Sequence, residues 1–372
     1  MKTRQVVFVL LIGAAAATAA WSGHELPVYP SYYPHEIEIA TVTPERAAGL
    51  LVDGKLHAYL GAAPRFTGAA PEHLRTIESL GSFIVVRVNP SSPLAKDEPS
   101  ICAVAGAVAR AIAARDGLTI HPYPVTPWHG DYLHHVDLAE TAKARLLGAA
   151  TAQSIAGPKV KAEGFAKSLV PAGWDAAGAE WDAEIAEVRI ADLLAPQALA
   201  LNGWQGPPWL RMGWFHAHLL LADATAHAND NVRRLQSGEF GSPVERINLE
   251  RDLVAALAAS CRTIVAGYRV RRETINAEFS AGIENIAFDA LSGLNAPIFI
   301  RTAKLKDFPW NGWLQLGIDG PPGAAWNPIA GFTDPFGQLL WSALGDPATI
   351  PSPYDSTWIL NRVSDVETSD RK

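Results

Sequence analysis

The segment from residue 121 to residue 137, HPYPVTPWHGDYLHHVD, combines titratable side chains with prolines in a way that is unusual for a buried segment. It holds four histidines and two aspartates. Neutral imidazoles and carboxylates are the usual ligands of borderline divalent metals, and titratable groups on loops are typical of functional sites. If a helix begins near Asp131, then Asp131 and His135 share one face at i, i+4 spacing. His129, Asp131 and His135 are therefore candidate ligands for a divalent transition metal cofactor.

The same segment also has a purely structural interpretation. Asp131 could cap a helix while the histidines are surface residues or hydrogen-bonded core residues, because their spacing matches no established metal motif. Under the functional interpretation, we expect His129, Asp131, His134 and His135 to lie at the mouth of a cleft and to contact a ligand. Alanine at His129 and His134 should then abolish binding and leave stability nearly unchanged, as exposed substitutions usually do.

Two further groups of residues could contribute to a site. One is a polar stripe on a predicted helix, formed by His216, Asp223 and His227 at compatible angles; it could hold a metal or form a hydrogen-bonded network. The other is aromatic: Trp313 stands with several tryptophans among glycines and prolines near the end of the chain. Such rings can line a ligand pocket or pack into an irregular core. Trp313 is the candidate ligand-binding residue of this group.

Sequence signatures of a catalytic nucleophile are missing from the chain. It contains no G-x-S-x-G elbow, no C-x-x-C pair, no phosphate-binding loop and no G-x-G-x-x-G fingerprint. A metal-dependent enzyme needs only three ligands and an open position, so enzymatic activity stays open.

Composition restricts the class of partner. The net charge of −7 comes without any basic run, which argues against nucleic acid or an anionic membrane surface as the partner. A hydrophobic content of 48% is ample for sizeable cores. The two cysteines, Cys102 and Cys261, could pair in an oxidising compartment or remain as buried thiols.

The first twenty residues predict export. Lys2 and Arg4 precede an apolar run, and small residues follow at Ala17 to Ala20, which is the pattern of a cleaved secretory signal. The run is shorter than the ~20 residues that a membrane-spanning helix needs. We therefore expect a periplasmic protein that does not itself span the membrane.

Periodicity predicts an α/β (mixed α+β) fold. An α/β region with βαβ units covers residues 21–195, a helical region 196–295, an aromatic-rich mixed region 296–363 and a flexible tail 364–372. The helical region is expected to form a long hairpin, with one helix over 207–236 and a second over 242–275. Strands are predicted at 36–39, 55–60, 82–88, 297–304 and 313–318.

Residues 36–94 resemble the opening of type 2 periplasmic solute-binding proteins. The similarity rests on ERAAGLLVDGKLHAYLG from Glu45 to Gly61 and on FIVVRVNPSSPL from Phe83 to Leu94. It implies a ligand held by loops at the carboxyl ends of strands. In this chain those loops would include Tyr32-Tyr33, Gly61-Ala62 and the histidine segment, which makes Tyr33 a further candidate ligand-binding residue.

Two functions from different classes follow. Export, acidity and the resemblance favour a periplasmic solute-binding protein that takes a small-molecule ligand and works with a membrane transport or enzyme partner. The histidine segment favours a metal-binding accessory protein or a metal-dependent enzyme of the periplasm.

Overall fold

The structure is a computed structural model. It describes residues 34–148, 155, 157–176, 178, 180–194, 212–223, 225–307, 312–323, 334–345, 348–353, 357–361 and 363–365. The predicted signal peptide, Tyr33 and almost all of the predicted tail lie outside the described residues. No helix in the described part of the chain is both long enough and apolar enough to cross a membrane.

An eight-stranded mixed sheet organises the described residues, which confirms the predicted mixed α/β class. Its order is β1-β10-β2-β7-β3-β6-β5, and the short β4 pairs with β7. These strands are β1 Glu36–Thr41, β2 Ala58–Leu60, β3 Leu74–Val88, β4 Thr119–Ile120, β5 Val160–Ala162, β6 Ala183–Arg189, β7 Thr263–Asn276 and β10 Trp313–Ile318. Two small pairs complete the strands: β8 Ile283–Glu284 with β9 Lys304–Leu305, and β11 Thr349–Pro351 with β12 Trp358–Leu360.

The sheet changes character between β2 and β7. Strands β1, β10 and β2 are parallel to one another, whereas β2 and β7 are antiparallel, as are β7 and β3. The predicted βαβ unit is therefore present as β1, a helix and β2, with β10 inserted between its two strands. The insertion places residues 313–318 beside residues 36–41, which lie far earlier in the chain.

Helices begin where the sequence supplies caps. Thr43, Asp97, Ser242 and Asp334 each accept a backbone N–H in the first turn, and each is followed by a proline in that turn. The helices are α1 Pro44–Val52, α2 Glu98–Ile112, α3 Val136–Leu147, α4 Gly164–Leu169, α5 Ile190–Leu194, α6 Gly213–His216, α7 Ala226–Ser237, α8 Pro243–Ala258, α9 Pro297–Thr302 and α10 Pro335–Leu344. Two 3₁₀ helices cover Tyr132–His134 and Ala217–Asp223.

From Ser79 to Val88, strand β3 is largely buried on both of its faces. Because successive side chains of a strand point to opposite sides, Ile84 and Val86 pack against α2 while Phe83 and Val85 face the other side. Trp128 of the histidine segment packs on the Phe83 side. The centre of the sheet thus holds α2 on one face and the histidine segment on the other.

Two predicted elements need correction. The predicted hairpin exists as α7 and α8, but the second helix ends at Ala258, and residues 263–276 form β7. A strand that is buried on both faces has apolar residues at many spacings, some of which imitate a helical period. Residues 297–302 form α9 where a strand was predicted, because Pro297 takes a first-turn position that suits a helix. The strand at Trp313–Ile318 is confirmed.

Candidate functional site

The carboxylate of Asp319 lies at the carboxyl ends of the parallel strands β1, β10 and β2. Asp319 directly follows β10, and Gly61 directly follows β2, so both lie at the carboxyl ends of neighbouring parallel strands. Open α/β sheets bind ligands at this edge, where the strand arrangement changes. Asp319 remains exposed to solvent. Partial desolvation raises the pKa of its carboxyl, while the charges of Arg271 and Arg189 act in the opposite direction.

Gly61 shapes this edge through its backbone. Its φ of 90° belongs to the left-handed region that favours glycine. A Cβ at this position would overlap the carboxylate of Asp319 and would lie 2.6 Å from Cζ of Phe336. Carboxylate and aromatic ring therefore both lie against the bare backbone of Gly61. We call Gly61, Asp319 and Phe336 the acidic edge.

A buried glutamate lies beneath the acidic edge. Glu273 of β7 accepts the backbone N–H of Gly61 on Oε1 and that of Leu294 on Oε2, each at 2.7 Å. Nε of Arg271 lies 3.9 Å from Oε1 of Glu273. Burial raises the pKa of Glu273, and Arg271 and the two N–H donors oppose that rise.

The histidine segment is largely buried, which differs from the exposed cleft mouth expected from the sequence. His129, Asp131 and His135 are at most 5% exposed, whereas His134 is exposed. The ring of His129 is stacked 6.5 Å from that of Phe83 between centroids. Three of the four predicted residues therefore lie inside the protein rather than at the surface.

His129 is held by hydrogen bonds on both ring nitrogens. The backbone N–H of Thr126 donates to Nδ1 of His129 at 2.9 Å, so this nitrogen is the acceptor. Nε2 of His129 then carries the proton and faces Nδ1 of His216 at 2.7 Å. Burial lowers the pKa of His129 well below its ordinary value, and the neighbouring His216 lowers it further. His129 is therefore neutral throughout the physiological pH range.

Asp131 and His135 form a second buried group. The backbone N–H of Gly213 lies 3.0 and 3.1 Å from the two carboxylate oxygens of Asp131, which ties the histidine segment to α6. Nδ1 of His135 lies 2.9 Å from the Tyr123 hydroxyl. Its Nε2 is 3.9 Å from Oδ2 of Asp131. The predicted i, i+4 relation is present, and it places the two groups in the protein interior.

These residues are not gathered as a metal site. Among the described residues, the one trio of potential ligands whose atoms all lie within 4.8 Å of one another is Glu98, Cys102 and Cys261. The two cysteines of that trio are joined in a disulfide. The metal hypothesis for His129, Asp131 and His135 therefore gains no support from their geometry.

The other candidate residues are dispersed. Trp313 is 64% exposed at the start of β10, the opposite end of the strand from Asp319. His216 is buried in α6, whereas His227 lies exposed in α7 and pairs with Asp252 at 2.6 Å. The stripe predicted from His216 to His227 is broken, because the intervening residues 217–223 form a 3₁₀ helix.

Glu250 adds a buried acid next to the histidine segment. It is fully buried in α8, and Nη1 of Arg246 lies 2.7 Å from its Oε1. Burial nevertheless outweighs this partner and raises the pKa of Glu250 from 4.5 to about 8, and Asp131 adds to the rise. The native state thus holds a proton that the unfolded chain releases above pH 4.5.

This proton predicts a loss of stability from acid to neutral pH. The contribution of Glu250 to stability is fully present below pH 4.5 and is lost as the pH rises through about 8. We expect the melting temperature to fall as the pH rises from about 5 to about 8, and to fall less in Glu250→Gln, which cannot ionise. Thermal unfolding followed by circular dichroism checks this. Equal slopes for both proteins would show that burial does not raise the pKa of Glu250 in the native state.

Comparisons with known proteins give structural likeness alone. No family model matches the chain, and no curated protein sequence matches it. HbpA2 from Haemophilus parasuis is similar at 13% identity and a TM-score of 0.41, over 70% of this chain and 56% of that chain. The oligopeptide-binding protein AppA from Bacillus subtilis, solved with a nonapeptide, has 13% identity and a TM-score of 0.38, over 71% and 59%.

A third similar structure is a periplasmic oligopeptide-binding protein from Thermotoga maritima, solved with mannohexaose. It has 14% identity and a TM-score of 0.36, over 70% of this chain and 60% of that chain. The chain therefore spans less than two thirds of the length of each of these three proteins. The two oligopeptide-binding proteins are of the same broad kind as the solute-binding proteins that residues 36–94 resemble. At these TM-scores, the likeness carries no argument about the ligand.

Proposed function

We propose that this protein is a periplasmic solute-binding protein whose ligand carries a cationic group bound at the acidic edge. The observation that carries the proposal is Asp319, an exposed carboxylate at the carboxyl end of β10. It lies against the glycine backbone at the end of β2. Such strand ends are the usual ligand position in open α/β sheets.

The chemistry of the edge favours an organic ammonium group. A carboxylate accepts charge-assisted hydrogen bonds, and an aromatic ring attracts a cation over its face. Phe336 supplies such a ring beside Gly61 and Gly320. A small inorganic cation would use Asp319 alone, whereas an amine with an apolar body would use both side chains.

The ligand-contact roles expected from the sequence remain proposals of lower rank. His134 is exposed and could reach a ligand, while His129, Asp131 and His135 lie inside the protein. We therefore assign ligand contact to the acidic edge, while the histidine segment packs on the Phe83 side of β3. Export through residues 1–20 and transfer of the ligand to a membrane transport partner belong to the same proposal.

Asp319→Asn tests the ligand class. We expect tri-alanine, lysine or putrescine to bind the wild-type protein, and their N-acetylated counterparts to bind at least 10-fold more weakly. A hydrogen bond to a charged group is worth about 1.5–3 kcal/mol, so Asp319→Asn should weaken binding of the free amine by about 10- to 100-fold. Isothermal titration calorimetry measures both affinities.

Asp53→Asn is the matched control, because Asp53 is exposed at the end of α1, before the start of β2. It should bind the amines as the wild-type protein does. Equal affinity for free and acetylated amines would refute the ligand class, and unchanged binding by Asp319→Asn would move the site elsewhere.

A further inference from the structure

Glu273 connects two separate segments beneath the acidic edge. One carboxylate oxygen holds the backbone of Gly61, at the end of β2, and the other holds the backbone of Leu294, which follows the turn at residues 289–293. The two segments are more than two hundred residues apart in sequence, yet one fully buried side chain fixes both. A carboxylate is suited to this task, because both of its oxygens are acceptors.

Arg271 contacts the segments around Glu273. Its Nε donates to the Ser79 hydroxyl at 3.1 Å, and its Nη2 donates to the Leu291 carbonyl at 3.3 Å. The guanidinium therefore contacts β3 and the turn before Leu294 while it lies beside Glu273. The positive charge balances the buried carboxylate, which would be costly in isolation.

Close packing transmits this arrangement to Asp319. The Asp319 carboxylate lies so close to Gly61 that a Cβ on Gly61 would overlap it. The position of the Gly61 backbone therefore limits the space that this carboxylate can occupy. Gly293 is constrained in the same way, with a φ of 61° and no room for a Cβ beside Glu273. A shift of either segment would move the wall of the proposed ligand position.

We propose that Glu273 is a positioning residue, which holds the Gly61 and Leu294 segments so that the acidic edge is formed before a ligand arrives. The inference rests on the proposed function for its ligand, but the positioning itself is a property of the free protein. Glu273 is buried and acts through its backbone contacts, while Asp319 contacts the ligand.

Glu273→Gln tests the proposal in the full-length protein. Glutamine keeps the shape but turns one acceptor oxygen into an N–H₂ donor, which then faces a backbone N–H. We expect hydrogen exchange at the amides of Gly61 or Leu294 to accelerate at least 10-fold, and the affinity for tri-alanine to fall at least 10-fold. In an Asp319→Asn background, Glu273→Gln should add no further loss of affinity, because its effect passes through Asp319.

Glu184→Gln on β6 is the matched control, since Glu184 is a partly exposed glutamate of the same sheet, paired with Arg87 at 3.3 Å. It should change neither readout. If Glu273→Gln does not fold, Ser79→Ala removes the hydroxyl that holds Arg271 and should accelerate exchange at Leu294. The proposal is overturned if hydrogen exchange at the amides of Gly61 and Leu294 is unchanged in Glu273→Gln. Where Ser79→Ala has to be used instead, unchanged exchange at Leu294 overturns it.

The two proposals fail in different ways. If tri-alanine and the other amines do not bind the wild-type protein, the proposed function fails, while amide exchange still decides whether Glu273 holds the edge. If tri-alanine binds and Glu273→Gln binds it equally well, Asp319 keeps its role and Glu273 loses its own. A loss of affinity in Glu273→Gln that is equally large in the Asp319→Asn background would also refute positioning, because it would show an effect that bypasses Asp319.

Discussion

Removal of the disulfide between Cys102 and Cys261 is expected to destabilise the protein by about 2–5 kcal/mol. The bond joins α2 to the residue pair that precedes β7, and it closes a loop with a sequence separation of 159. Loop-closure entropy for a segment of this length amounts to about 5 kcal/mol, which is the upper limit of the effect. Cys261 is fully buried in the core that α2 forms with the sheet.

Urea unfolding of the oxidised protein and of Cys102→Ala/Cys261→Ala measures this loss. The double variant avoids a free thiol, and mass spectrometry of alkylated wild-type protein confirms that the bond was present. The variant should unfold at a clearly lower urea concentration. Equal midpoints for a fully oxidised wild-type protein and the double variant would show that the cross-link does not restrict the unfolded chain.

The disulfide also bears on the compartment. The sequence left pairing and two buried thiols as alternatives, and the structure has the pair. Disulfides form and persist in oxidising compartments, so the bond supports the export that residues 1–20 predict. This support is independent of the resemblance to solute-binding proteins.

Local signals predicted much of the fold. Ser242 followed by Pro243 marks the start of α8, and the same pattern of a cap and a proline begins α1 and α10, because these effects act within one turn of helix. The sequence pattern predicts a helix through residue 275, because the apolar positions of residues 263–275 fit two periods and only the pairing with β3 decides between them. A long buried strand is stabilised by pairing with strands that lie far away in sequence, so a local window of sequence does not predict it.

The site was less accessible to sequence reasoning than the fold. The acidic edge joins Gly61 to Asp319 and Phe336, and that juxtaposition exists because β10 inserts between β1 and β2. The carboxylate that directly follows β10 was a usable signal, since strand ends are ligand positions. Glu273 offered no comparable signal, because a glutamate beside Arg271, Arg272 and Thr274 could equally face solvent.

The histidine segment shows why residue types alone misplace a site. Four histidines near prolines suggested an exposed loop, but Phe83 of the central strand β3 offers an apolar surface that His129 covers. Once buried, each imidazole needs partners, and Thr126 and His216 supply them for His129. The exposed position expected for His129 is therefore wrong, and we now predict that its replacement is costly.

The stability of the histidine segment depends on His129 through several contributions. His129→Ala leaves the buried N–H of Thr126 without its acceptor and removes the bond to His216. Each buried polar group without a partner costs about 1–3 kcal/mol. The lost ring also leaves a cavity beside Phe83, which adds to the loss. We expect His129→Ala to lower the free energy of unfolding by about 2–5 kcal/mol.

His134→Ala is the matched control, because His134 is an exposed histidine five residues further along the same segment. Its side chain can be removed at a cost of about 0.5 kcal/mol or less.

Acid provides a second measurement of the role of His129. The native ring stays neutral, whereas the ring in the unfolded chain gains a proton below pH 6.5. The contribution of His129 to stability is therefore lost as the pH falls. Urea unfolding at neutral pH and near pH 5 should give wild-type protein a steeper loss toward acid than His129→Ala. Equal stability of the two alanine variants would contradict the buried role of His129 and restore the exposed, ligand-contacting role predicted from the sequence.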